Sequence, residues 1–214
     1  MIYRINTSQE SIINTVNNSS QVIKLLEEGN FYCSSDYHLG KWMLGKDVQK
    51  YQDQDKEIIE KHNALVGKDD PFLFLGDLTE EEYENSPYYN DVVKRLIKKL
   101  NGKFYMIRGN NDTAKDQFYY DCGFKSVFSG HVESDIAIYS HIPCNVTGNK
   151  INIHGHIHGS KKYWNIQPNN HVDVYWKLWN GPIRIKDAIE KYKSGLYVGQ
   201  YVQHPEDGKG DTHE

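Results

Sequence analysis

Three short apolar runs, Phe31 to Ser35, Phe72 to Leu75 and Phe104 to Ile107, each end in a polar or glycine-containing turn, and stretches of helical periodicity lie between them. This repetition constrains the fold more than any other feature of the chain. Runs of four or five β-prone residues are too short for helices, and without alternation they suit strands buried on both faces. Strands separated by helices pair in parallel through crossover connections, with the turns at their carboxyl ends available for a site. The clearest helix is Ser86 to Leu100, where Val92, Val93, Leu96, Ile97 and Leu100 form one stripe and Lys94, Arg95, Lys98 and Lys99 a solvated face. After Cys122 the pattern changes to shorter β-like pieces: Lys125 to Phe128, Ile136 to Tyr139, Ile151 to His154, Val172 to Tyr175 and Ile183 to Ile185. These predict a mixed or second sheet packed on the first, in the α/β class.

No linker-like stretch divides residues 30 to 200, which are expected to form one domain. Residues 1 to 29 are expected to pack on that core as an extension, with a strand at Ile2 to Ile5 and a helix-like stretch from Ile12 to Leu26 that Asn17 to Ser20 interrupts. They fit either a homodimer contact or another layer of the fold. Residues 201 to 214 are polar and rich in Gly and Asp, and disorder is expected there.

Five motifs fall in order along the chain: Asp36-Tyr37-His38, Gly76-Asp77, Gly109-Asn110-Asn111-Asp112, Ser140-His141 and Gly155-His156-Ile157-His158. Singly each is weak, since an Asp-x-His triplet arises readily by chance among 29 acidic residues and 10 histidines. Together they gather side chains suited to metal. Asp36 and His38, like His156 and His158, are two residues apart, which on an extended segment points both side chains the same way. Imidazole and oxygen donors without thiolates suit Mn, Fe or Zn and argue against a closed structural zinc site.

In order and residue type these motifs resemble those of the calcineurin-like metallophosphoesterase family, over roughly Phe31 to Ala188. Within it the chain is most similar to the small single-domain bacterial and phage enzymes, whose phrasing appears at Arg108 to Asp112 and Ile153 to Gly159. The resemblance implies a four-layer fold, two mixed β-sheets packed as a sandwich and flanked by helices. It implies two divalent metal ions, with Mn²⁺ the working choice: Asp36, His38 and His158 on the first, Asp77 bridging, and Asn110, His141 and His156 on the second. It further implies that a hydroxide held between the ions attacks phosphorus in a small phosphodiester or phosphomonoester. Asp112 would orient its neighbour, and Arg108 would either approach a phosphate oxygen or form a strand-end ion pair. Many relatives carry a histidine where Asn111 stands, as a general acid. An amide cannot donate a proton to a departing alkoxide. Lys41, after Gly40, also departs from the subgroup, which often has histidine there. Gly109 and Gly155 are read as possible turn glycines, and His62, His131, His154, His171 and His204 as structural.

The net charge of -4 does not describe a surface that grips polyanions. The acidic segment Thr79 to Glu84 is expected near the site mouth, where its field opposes long nucleic acids and favours small esters, although Lys161 and Lys162 offer a phosphate contact near His158. A nuclease of the same family and a non-catalytic metal-binding scaffold are the alternatives. Three cysteines at unrelated spacings suggest a reducing cytoplasm. Neither a signal-peptide core nor a membrane span of about 20 apolar residues is present.

Overall fold

The computed structural model describes residues 22, 24–26, 28–80, 86–159 and 170–195. The expected strand at Ile2 to Ile5, most of the helix-like stretch before Leu26, Lys161 and Lys162, and the 201–214 tail lie outside them.

The larger sheet contains β1 (Tyr32–Ser34), β2 (Pro71–Leu75), β3 (Lys103–Ile107) and β4 (Ser126–Phe128), all parallel, with β9 (Ile183–Arg184) antiparallel beside β1. Helices α1 (Val48–Leu65), α2 (Pro87–Ile97) and α3 (Asp116–Cys122) make the crossovers. The smaller sheet orders β5 (His131–Glu133), β6 (Ala137–Ser140), β7 (Ile151–His154) and β8 (His171–Asp173), with β5 and β6 antiparallel and the rest parallel. The two mixed sheets flanked by helices are the architecture that the motifs implied.

Register explains why the three leading runs are apolar throughout. Tyr32, Phe72 and Phe104 are neighbours across β1, β2 and β3 and pack, with Phe74 and Met106, against Ile58 of α1, Tyr89, Val93 and Ile97 of α2, and Tyr119 of α3. The alternate residues Cys33, Leu73, Leu75 and Ile107 face the second core, with Tyr139, Ile153 and Val172 of the smaller sheet. Both faces of β2 are therefore dry. Val22, Leu25 and Leu26 of the helical N-terminal residues join this second core.

Ser86 caps α2 by accepting from the Tyr89 backbone N–H, and Pro87 opens its first turn. Strand β9 is shorter than the expected run to Ile185, because Ile185 begins α4 (Ile185–Lys193) and buries with Ala188 one turn later. Strand β5 escaped the periodicity because only Val132 packs inward from it. Among the described residues, no helix is long and apolar enough to cross a membrane.

Candidate metal centre

The turns after β1, β2, β3, β6 and β7 carry the five motifs. The chain leaving β1 runs alongside the chain leaving β2: Asp36 N–H donates to Gly76 O (2.9 Å), His38 to Asp77 O (3.0 Å) and Leu39 to Leu78 O (2.9 Å). Neither i, i+2 pair is extended, contrary to the alternation expected of them. Asp36 (φ 59°), His38 (φ 47°), Asp77 (φ 52°), His156 (φ 71°) and His158 (φ 50°) all adopt left-handed backbone; Asp47 and Asn180 are the only other non-glycine residues to do so among those described. Such conformations cost on the order of 1 kcal/mol each and persist where surrounding contacts enforce them. Here the enforcing contact between Asp36 and His38 is Tyr37, fully buried, its ring 4.8 Å from Phe74 and its hydroxyl donating to His62 Nδ1 (2.9 Å).

Two donor groups result, one of Asp36, His38 and His158 and the other of Asp77, His141 and His156, with the donor atoms of each group within 4.8 Å of one another. In the first, His158 Nε2 lies 3.2 Å from Asp36 Oδ1 and 3.4 Å from His38 Nε2. In the second, His141 Nε2 lies 3.4 Å from Asp77 Oδ2, 3.2 Å from His156 Nδ1 and 3.1 Å from Asn110 Oδ1. Asp77 Oδ2 is also 3.9 Å from His38 Nε2, so this carboxylate stands between the groups.

The protonation pattern fits a cation. His141 Nδ1–H donates to Leu75 O (2.9 Å), which leaves a lone pair on Nε2 facing a carboxylate, an amide oxygen and another ring nitrogen. A ring of acceptors around an acceptor requires a proton or a metal. Burial alone would lower the His141 pKa, but the bond to Asp77 and the charges of Asp36 and Asp77 outweigh it and push it up to about 9. Burial opposes ionisation of Asp36 and Asp77, and the neighbouring histidines, led by His158 for the one and His141 for the other, overcome it and hold both low.

Around these groups lie residues whose placement no local pattern announced. Asp112 ties the third motif to the second: Oδ2 accepts from Gly109 N–H (2.8 Å), and Oδ1 accepts from the N–H of Leu78 (3.0 Å) and Thr79 (3.2 Å). Its pKa is pushed up to about 6 by burial and by Asp77. Asp173 accepts from Gly159 N–H (2.8 Å) and Tyr175 N–H (2.9 Å), and Tyr175 stacks on the His158 ring at 4.7 Å. Buried Asp55 of α1 accepts from Gly40 N–H and Trp42 Nε1–H and so anchors the turn after the first motif.

Asn111 grips Asp77 twice, backbone N–H to Oδ1 (3.0 Å) and amide Nδ2 to Oδ2 (2.9 Å). Arg108 adopts the ion-pair alternative, with Nη1 donating to Asp112 O and Nη2 pairing with Asp116, both at 2.5 Å. Gly109 and Gly155 serve closeness: a Cβ on Gly109 would sit 2.1 Å from Asp77 Oδ1, and one on Gly155 2.5 Å from the Ser35 side chain and 2.6 Å from Asp36 Oδ2. Thr79 and Glu80 are turned inward, so this part of the acidic segment does not project into solvent; residues 81–85 lie outside the described residues.

The histidines read as structural stand apart from both groups. His62 is pushed down to about 4 by burial and donates from Nε2 to Asn101 O (2.6 Å). His154 is pushed down to about 3 by burial and donates from Nδ1 to Gly155 O (2.9 Å). Its ring contacts that of His171. His131 is exposed, and His204 lies outside the described residues.

The calcineurin-like phosphoesterase family model matches residues 29–207. Among solved structures, a protein of unknown function from Aquifex aeolicus is similar at 18% identity, over 75% of this chain and 97% of its own, with a TM-score of 0.53, which speaks for the fold alone. A nuclease, MPE, from Pseudomonas putida is similar at 20% identity over 59% of this chain and 60% of its own, with a TM-score of 0.44. No curated protein sequence matches the chain.

Proposed function

Since the chain belongs to the calcineurin-like phosphoesterase family, we propose that it is a metal-dependent hydrolase cleaving small phosphodiesters or phosphomonoesters, nucleotide-like ones among them, at a pair of divalent cations. The observation that carries this reading is the two adjacent donor groups with Asp77 between them. Asp36, His38, His158 and Asp77 would hold one ion, and Asp77, Asn110, His141 and His156 the other. Mn, Fe and Zn all suit these donors, and Mn²⁺ is the ion we assign first. When bound, such a pair lowers the pKa of water and neutralises phosphate oxygens.

The remaining tasks fall to the chain. The Asn111 amide, already donating to Asp77, has no acidic proton to give a departing alkoxide. That proton would then come from solvent or from another group, and loss of a donor at this position costs about 10²- to 10⁴-fold on poor leaving groups and little on good ones. The net charge of -4 favours small esters over long nucleic acids. Free cysteines at 33, 122 and 144 suit a cytoplasmic setting.

Bis-p-nitrophenyl phosphate and p-nitrophenyl phosphate, assayed in Mn²⁺ alongside elemental analysis, test the proposal. Turnover with two bound ions is expected. Absence of both turnover and metal sinks it, and cleavage of single-stranded nucleic acid with steep salt dependence would favour a nuclease instead.

A pH dependence accompanies this reading. His141 has its folded pKa raised from 6.5 to about 9, so its stabilising contribution is complete below about pH 6.5 and is lost as pH rises through 9. Metal-free protein should melt at a lower temperature at pH 9 than at pH 6.5. Cation affinity should move the other way, by up to about tenfold per pH unit for this one proton between pH 6.5 and 8. Melting with chelator present and calorimetric Mn²⁺ titration read the two trends. A metal-free protein that gains stability over this interval contradicts the assignment of His141.

A further inference from the structure

Glu80 follows Asp77 by three residues, yet its carboxylate points into the protein, with the side chain 12% exposed. Oε1 lies 3.0 Å from His38 Nδ1 and 3.0 Å from Lys41 Nζ. The backbone is anchored as well: Glu80 N–H donates to the Tyr89 hydroxyl (2.9 Å), which donates to Leu39 O (3.1 Å), and Tyr89 itself is fully buried on α2.

A neutral imidazole has one donor and one acceptor nitrogen, and the partner of one nitrogen decides the state of the other. The Glu80 carboxylate is close to Nδ1 without hydrogen-bond alignment, so it acts through its charge, favouring the proton on that nitrogen and a lone pair on Nε2. In His38 that lone pair faces the first donor group, 3.4 Å from His158 Nε2. His141 is set in the same sense by a carbonyl, that of Leu75. A buried carboxylate needs a counter-charge, and Lys41 supplies it.

We propose that Glu80 is a positioning residue: it fixes His38 in the Nδ1–H form, aims Nε2 into the group of Asp36, His38 and His158, and is held there by Lys41. This rests on the metal reading of the site. It also gives the lysine after Gly40 a task in this chain.

Zn²⁺ titration of metal-depleted protein by calorimetry separates the two ions. The wild type is expected to bind two. Glu80→Ala should weaken one step by about 10- to 100-fold, the range for loss of a partner behind a metal-bound histidine, and leave the other within about twofold. Glu80→Gln should recover part of the loss, because its amide oxygen keeps a partial negative charge beside Nδ1, and Lys41→Met should weaken the same step less. Nitrogen-15 NMR of the metal-free wild type should find the His38 proton on Nδ1, where no bound ion can have placed it. Two unchanged binding steps in Glu80→Ala, or an unprotonated Nδ1 in the wild type, overturn the role of Glu80 while the metal reading stands. A wild type that takes up no zinc overturns the metal reading itself. Should Glu80→Ala fail to fold, the wild-type tautomer decides alone.

Discussion

Asp77→Asn should give a folded protein that retains neither ion and loses essentially all turnover. The expectation follows from position. Asp77 Oδ2 lies 3.4 Å from His141 Nε2 and 3.9 Å from His38 Nε2, so one carboxylate serves both donor groups. Changing it to an amide removes a negative charge shared by two cations and turns an N–H₂ toward either the Asn111 amide or the histidine lone pairs. A partner one shell further out is worth about 10- to 100-fold in affinity, so loss of the shared ligand should exceed about 10²-fold in metal retention and in turnover of bis-p-nitrophenyl phosphate. Asn111→Asp should cost far less than Asp77→Asn, because Asn111 belongs to neither group. Elemental analysis, turnover and a thermal melt on the three proteins make the comparison. An Asp77→Asn protein carrying two ions per chain would dismantle the bridging assignment.

Gly109→Ala should be among the most destabilising single-methyl additions in the chain. The added Cβ would lie 2.1 Å from Asp77 Oδ1 and 2.3 Å from Asp77 N, and backbone and a pinned carboxylate leave it nowhere to go. Asp77 is gripped by Asn111 on one side, while Asp112 fastens Gly109 and Leu78 to each other on the other. Overpacking in a well-packed site costs about 1 to 3 kcal/mol and more where nothing can shift, and we expect at least the upper figure. For a domain of this size that is a fall of about 6 to 12 °C in melting temperature. Gly123→Ala is the control, since no atom lies within 4 Å of its Cβ and only its positive φ (105°) is at stake. A Gly109→Ala melt within about 2 °C of wild type would mean that the motifs are not packed as tightly as these distances require.

The parts of this molecule legible in sequence are those governed by local rules. Phe72 to Leu75 and Phe104 to Ile107 could be read as strands because both faces of each are covered by apolar neighbours. The α2 stripe was visible because Val92, Val93 and Ile97 share one face. The candidate donor residues were visible because five motifs follow a known order. What could not be read was set by contacts distant in sequence. Asp55 and Gly40 meet across a helical turn and α1, Asp173 reaches Gly159 across a sheet edge, and Asp112 crosses from β3 to the turn after β2. Arg108 shows the same limit: which of two partners it takes depends on where α3 begins, and Asp116 stands in its first turn. The paired candidate donors were predicted to be neighbours, but extended geometry was the wrong route to it, since all four residues adopt left-handed backbone, held at Asp36 and His38 by buried Tyr37 and by hydrogen bonds to the turn after β2.

That left-handed backbone sets selection for persistence against selection for chemistry at five positions. At Asp36, His38, Asp77, His156 and His158 the residue that best suits the chain path is glycine, which adopts positive φ without penalty and has no donor atom to offer. A change to glycine at any of them would relieve the backbone and remove a candidate donor at once, while at Asp36 and Asp77 it would also delete part-buried hydrogen bonds with His156 and Asn111. Asp and His at all five positions, against the backbone preference for glycine, are what a metal centre would require.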